Sequence, residues 1–209
     1  MIIVNYKAYS EASGYKAREL SKKCEKASDK TGERVISAPQ AQDIRVCNGE
    51  VFAQHMDSVE PGSHTGSNLG EGLKDAGVSG TILNHSENRI PEEELKNTLA
   101  RCRELNIESV VCAQSPEECR ELSKLEPDYI AFEPPELIGG DVSVSTHEPK
   151  VIKDAVEKSE RPVLAGAGIK TREDVEKCIE LGCEGVLVAS GVVKNPEPYE
   201  ELLRLCEGL

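Results

Sequence analysis

The chain has 209 residues and a formal net charge of −13 at pH 7, from 38 acidic and 25 basic side chains. Its 38% hydrophobic and 30% charged residues suit a soluble globular protein rather than a disordered one. It has no basic run for a nucleic-acid face, no apolar run near the roughly 18 residues of a membrane span, and no signal-peptide pattern at Met1–Asn5.

Eight cysteines stand at 24, 47, 102, 112, 119, 178, 183 and 206, with no C-x-x-C pair among them. Without a secretory signal they read as reduced, small core residues, and the expected compartment is cytoplasmic.

In chain order, short apolar β-rich runs alternate with longer amphipathic stretches. Residues 2–5 predict the first strand and 11–28 the first helix. Strand 34–38 is followed by a short helical segment at 41–46. Strand 51–54 precedes a helix at 68–75, where Leu69 and Leu73 stand four apart. Strand 80–83 leads to helix 91–104, which opens on Pro91-Glu92-Glu93-Glu94; proline fits a first helical turn and acids favour the helix dipole there. Strand 109–113 is followed by Ser115-Pro116-Glu117-Glu118, the same signal, before helix 119–125. Strand 129–132 precedes helix 146–158. Strand 163–166 precedes helix 171–181, which opens on Thr171-Arg172-Glu173-Asp174, a capping box with Asp in place of the usual Glu. Strand 185–189 and helix 196–206 complete the series.

Regular β-then-α alternation requires a parallel sheet with right-handed crossovers. Eight such units either spread as an open sheet or close into a barrel, and eight is the number that closes with a filled interior. With no composition break or long linker, the expectation is a single (β/α)₈ barrel domain over residues 1–209, with short loops and some short helices.

In such a barrel the functional site lies at the C-terminal strand ends. Those ends carry Asn5-Tyr6-Lys7, Asn84-His85-Ser86-Glu87, Glu133-Pro134-Pro135, Gly166-Ala167-Gly168 and Ala189-Ser190-Gly191. Gly166, Gly168 and Gly191 allow backbone to approach a ligand, and a helical turn starting near Ser190 aims N–H groups at an anion. Glu133 is the candidate base, His85 a hydrogen-bond donor to a carbonyl, and Lys7 the cation for a developing oxyanion. A base, a donor and a cation beside a phosphate cradle point to proton abstraction next to a carbonyl. The segment from Pro134 to Ser143, with prolines at one end and Gly139-Gly140 at its tip, is suited to a water-excluding lid. Gly166-x-Gly168 alone would also fit the start of a dinucleotide fingerprint, but Thr171 stands where its third glycine belongs. His55, His64 and His147 read as structural or exposed.

Six motifs in order, N-Y-K at 5–7, G-S-H-T-G at 62–66, L-N-H-S-E at 83–87, F-E-P-P-E-L-I-G at 132–139, A-G-A-G-I at 165–169 and V-A-S-G-V at 188–192, closely resemble the triosephosphate isomerase family in its compact archaeal form. The resemblance covers nearly the whole chain. It implies interconversion of dihydroxyacetone phosphate and D-glyceraldehyde 3-phosphate through an enediol(ate), with no cofactor and no metal. It implies Glu133 as proton acceptor and a neutral His85 as electrophile, a pairing for which this family is itself the type example. It also implies substrate contacts from Asn5, Lys7, Ile138, Gly139, Gly168, Ala189 and Ser190. Gly140-Asp141 departs from the family's common Thr-Gly. The loop at Gly62–Gly66 implies a homodimer or homotetramer. Glycine turns after strands 7 and 8 would equally suit a sugar-phosphate epimerase or a tryptophan-pathway barrel; the Asn-x-Lys and His-Ser-Glu elements would not. A silent homologue that only binds phosphosugars would usually lack the base or the electrophile, and both are present.

Overall fold

The structure, a computed structural model, describes residues 1–134 and 149–209. Its strands are β1 (Ile2–Asn5), β2 (Val35–Ala38), β3 (Phe52–Ala53), β4 (Gly80–Leu83), β5 (Glu108–Ala113), β6 (Tyr129–Phe132), β7 (Val163–Ala165) and β8 (Gly185–Val188). They run parallel in the order β2-β1-β8-β7-β6-β5-β4-β3. A single parallel bridge between Ser37 and Val51, where the Ser37 N–H donates to the Glu50 carbonyl at 3.0 Å, joins the two ends into a ring. The expected (β/α)₈ barrel is the observed fold.

Around it lie α1 (Tyr15–Thr31), α2 (Gly70–Asp75), α3 (Glu92–Leu105), α4 (Pro116–Ser123), α5 (Pro149–Lys158), α6 (Arg172–Glu180), α7 (Ser190–Val193) and α8 (Pro198–Cys206). No helix among the described residues is long and apolar enough to cross a membrane. The first helix departs from its predicted span. A 3-10 turn at Ser10–Ala12 comes first, and α1 starts only after Gly14, whose φ of 61° lies outside helical space. The Gly14 N–H is instead held by Asp43 Oδ2 at 2.9 Å. At the other end α1 runs on to Thr31, where Gly32 in the left-handed region caps it. The third strand is shorter than expected because Val51 makes only the closing bridge. The capping box of α6 forms as expected: Thr171 Oγ1 accepts the Asp174 N–H at 3.2 Å and Asp174 Oδ2 accepts the Thr171 N–H at 2.9 Å.

Strand alternation sorts the core into two layers. Ile3, Ile36, Phe52, Ile82, Val110, Ala131, Leu164 and Leu187 fill the barrel interior. Their neighbours, such as Ile2, Val4, Ile130, Phe132 and Val186, pack outward against the helices. Each large buried apolar side chain stabilises the fold by about 1.5–3 kcal/mol. The same parity, carried past the strand ends, turns Asn5, Glu133 and Gly166 toward the barrel axis at the C-terminal rim. At the opposite rim the Arg34 guanidinium bonds both Glu50 and Glu108 and lies 5.6 Å from the Phe52 ring centroid. Its hydrogen bonds hold the Glu50 carboxyl below the ordinary range. This clamp sits beside the thinnest seam of the ring, between β2 and β3.

Seven of the eight cysteines are buried, Cys47 is half-buried, and none is in a disulfide. Burial pushes the Cys24 thiol up to about 11 and those of Cys102, Cys119 and Cys183 up to about 12. An unfolded cysteine ionises near 8.5. Above that pH the unfolded chain loses protons that the folded chain keeps, so stability falls as pH rises. With reductant present, the urea unfolding midpoint should drop steadily between about pH 8.5 and 11, and replacing Cys102 and Cys119 with alanine should flatten that slope. A midpoint independent of pH across this window would contradict the account.

Candidate active site

Glu133 immediately follows β6. Its N–H donates to the Ala113 carbonyl at 2.8 Å, extending the ladder by one residue. The carboxylate is only 4% exposed. What makes room for it is Gly166. A Cβ there would overlap Glu133 Cγ and lie 3.1 Å from Cδ and 3.2 Å from Oε1. Gly166 lines the site cavity, and its missing Cβ also leaves the space that Glu133 occupies. Burial, then the charge of Glu133, push the neighbouring Cys112 thiol well up.

His85 reaches the same place from β4. Asn84 takes a left-handed φ of 59°, a conformation asparagine tolerates better than most residues. Its side chain is tied on both sides, donating to the Cys112 carbonyl at 3.1 Å and accepting the Ile90 N–H at 3.3 Å. The imidazole beyond it is 7% exposed. Its Nδ1 accepts the Glu87 backbone N–H at 3.1 Å. An imidazolium has no acceptor, so this bond fixes a neutral ring with its proton on Nε2. Nε2 stands 3.3 Å from Glu133 Oε2, poorly aligned for a hydrogen bond, and among the described residues neither atom has a hydrogen-bond partner.

Lys7 follows β1 with a φ of 45°, which for a lysine costs on the order of 1–3 kcal/mol. Two side chains hold the strained peptide groups. Asn5 Oδ1 accepts the Lys7 N–H at 3.0 Å, and Gln54 Nε2 donates to the Lys7 carbonyl at 3.1 Å and the Ala38 carbonyl at 2.9 Å. The ammonium pairs with Glu87 Oε1 at 2.7 Å. Glu87 thus orients Lys7 through its side chain and His85 through its backbone. Glu87 stands in the strand-end stretch Asn84–Glu87 read from the sequence but carries no assigned role there, and Gln54, the last residue of the expected strand 51–54, is not singled out.

One cavity brings together Asn5, Lys7, Glu133, Gly168, Ala189 and Ser190. Gly168 has a φ of 69°, which excludes an ordinary side chain at that turn. The Ser190 and Gly191 N–H groups open α7 and so have no acceptor within it. His85 lines the adjoining cleft together with Asn5, Lys7 and Glu87. Ile138, Gly139 and Asp141 of the expected lid, and His147, lie outside the described residues. His55 Nε2 meets Asp57 Oδ1 at 3.2 Å, and His64 is exposed, as expected. Among the described residues no group of three or more His, Cys, Asp or Glu is arranged to hold a metal ion.

Fold and geometry place the chain among the (β/α)₈-barrel enzymes whose acid–base groups stand at the C-terminal rim. Comparison with known proteins narrows this to one family. The family model described as triosephosphate isomerase matches residues 1–208, and the chain belongs to that family. It is 42% identical to the triosephosphate isomerase of Methanobrevibacter smithii, over 100% of this chain and 98% of that protein. The enzymes of Methanocaldococcus jannaschii (42%, covering 98% of each chain) and Sulfolobus acidocaldarius (46%, covering 95% of this chain and 90% of that one) are similarly related.

The packing of Glu133 on Gly166 generates a test. Gly166→Ala should push the carboxylate out of line and lower kcat about 100-fold, since a misplacement of about 1 Å is enough for that. KM should change little, and circular dichroism should report an intact fold. Wild-type turnover in the folded variant would show that Gly166 does not position the base.

Proposed function

We infer that Glu133 and His85 carry the interconversion of dihydroxyacetone phosphate and D-glyceraldehyde 3-phosphate, the activity of the family to which the chain belongs. The observation that carries this reading is the facing pair of His85 Nε2 and Glu133 Oε2, buried and 3.3 Å apart. A substrate that displaced this direct contact would give each atom a partner, its carbonyl oxygen meeting Nε2 and its carbon-bound proton meeting the carboxylate. Glu133 removes a proton from the carbon next to the carbonyl. The neutral His85 donates from Nε2 to the oxygen that gains charge, and the Lys7 ammonium stabilises the resulting enediolate. Glu133 then returns the proton to the neighbouring carbon, and His85 shifts a proton between the two oxygens. Asn5 fixes the Lys7 peptide and borders the substrate. Gly168, Ala189 and Ser190 supply the phosphate cradle, mostly through backbone. Ile138 and Gly139 are assigned to the substrate-contacting part of the lid by their motif. The whole chain acts as one catalytic domain in glycolysis and gluconeogenesis. Eight cysteines without a disulfide support a reducing, cytoplasmic setting.

The loop at Gly62–Gly66 is the proposed self-association element of a homodimer or homotetramer. Residues 60–67 are exposed. The loop's base is pinned where the Asn68 N–H donates to Asp57 Oδ2 at 2.6 Å and the Asp57 N–H donates to the Asn68 carbonyl at 3.1 Å. A cleft of about 310 Å³ beside the site, reaching Gln40, Gln54, Lys7 and His85, is the surface we assign to a second copy's loop.

Two measurements follow. In a coupled assay with glyceraldehyde 3-phosphate, Glu133→Gln should lose about 10²–10⁴-fold in kcat while still binding phosphate-bearing inhibitors, the range expected for removing a general base. Undiminished turnover would remove Glu133 from its role. Thr65→Arg should shift the sedimentation coefficient to that of a monomer and reduce turnover. An unchanged oligomer would relocate the interface.

A further inference from the structure

We propose that Tyr9, gripped by the Lys194 ammonium, is a positioning residue for the anionic end of the substrate, tying the turn that carries Lys7 to the turn that carries Ser190 and forming the cavity wall between them. This rests on the triose-phosphate reading of the site.

The two sides of that wall come from separate segments. On one side the Tyr9 N–H donates to the Tyr6 carbonyl at 3.2 Å, so Lys7 and Ala8 are the central residues of a turn that Tyr9 ends. On the other side α7 has only four residues, Ser190–Val193. A helix that short is not stable by itself and takes its position from what holds it. Lys194 ends it: the Lys194 N–H donates to the Ser190 carbonyl at 3.1 Å and closes the turn.

A cation–π contact joins the two segments. Tyr9 is half-buried and lines the cavity together with Lys7, Gly168, Ser190 and Gly191. The Lys194 ammonium stands 4.3 Å from the centroid of its ring, inside the roughly 6 Å reach of such a contact. Glu11 borders the same outer cleft as Lys194 but turns its carboxylate to Ser10 Oγ at 3.0 Å. The strands behind the contact, β1 and β8, are hydrogen-bonded neighbours, so it spans the segments that follow them. A phosphate monoester carries close to two negative charges at pH 7, and the chain that must hold it carries −13. Backbone N–H donors can do so only if they are fixed in direction and shielded from bulk water. Tyr9 serves both needs, as tie and as wall. Lys7 keeps its own anchors, Asn5 and Gln54, so the chemical step does not depend on the ring. The affinity Tyr9 supports is equal in ground and transition states, because the phosphate is not the reacting centre.

The test is a double-mutant cycle on Tyr9→Leu and Lys194→Met, with Tyr9→Phe as the conservative variant. Initial rates with glyceraldehyde 3-phosphate are measured beside calorimetric titration with inorganic phosphate, and circular dichroism checks the fold. Lys194→Met should raise KM about two- to fivefold, the strength of an exposed cation–π contact, and weaken inorganic phosphate to a similar extent. Tyr9→Leu should do at least as much, with kcat within about twofold of wild type. Tyr9→Phe, which keeps the ring, should stay within about twofold of wild type in KM. The double variant should be no worse than Tyr9→Leu alone, because both changes break one contact. Unchanged KM and phosphate affinity in the two single variants would overturn the proposal, as would additive losses in the double variant or a loss confined to kcat. If wild type failed to turn over the triose phosphates, the functional reading would fall. The phosphate titrations across the same cycle would still decide whether the Tyr9–Lys194 contact supports anion binding.

Discussion

The site depends on one approach: the buried Glu133 carboxylate brought to 3.3 Å from His85 Nε2. Two acceptors would repel at that distance, and two charges of opposite sign would collapse into an ion pair. The Glu87 N–H on Nδ1 averts both by keeping the ring neutral and its proton on Nε2. Gly166 lets the carboxylate lie deep enough, and the left-handed Asn84 swings the imidazole inward to meet it. The proposed base and donor therefore come from strands that do not touch each other, held by a ring closed elsewhere.

Strain and charge are concentrated at the same rim. Lys7 is held in a conformation that lysine disfavours because both of its peptide groups are claimed by side chains, Asn5 from β1 itself and Gln54 from the end of β3. The cost is met by hydrogen bonds rather than by packing, which fixes the ammonium's direction while leaving its tip accessible. Glu87 then couples lysine and histidine, so the two groups facing the developing negative charge share one carboxylate residue as support. At the other rim the Arg34 clamp secures the seam that pairs least. Stability and chemistry thus occupy opposite ends of the barrel.

Much of this was legible in the residues. Strand runs such as 2–5, 80–83 and 129–132 coincide with the observed strands because strands buried on both faces are nearly continuous in apolar residues. The rule that strand ends face the site then picks out Lys7, His85, Glu133 and the two glycine turns. What escaped were partnerships that exist only after closure. Glu87 is 80 residues from Lys7, Gln54 is 47 from it, and Gly166 matters through its missing Cβ. The first helix escaped differently. Its apolar periodicity runs through 11–28, but a glycine at 14 and an acid 29 residues later divert the chain.

The central claim is that a proton, not a hydride, moves, and that Glu133 carries it. Converting glyceraldehyde 3-phosphate to dihydroxyacetone phosphate in deuterium oxide, with the product trapped as it forms and examined by NMR, tests this most directly. While the enediolate is bound, the proton held on the Glu133 carboxyl exchanges in part with solvent before it is returned to carbon. The account predicts deuterium at the carbon that receives it. Product that kept all of the substrate's hydrogen, with no deuterium at that carbon at any ratio of exchange time to turnover, would show no exchangeable proton carrier and would contradict the account.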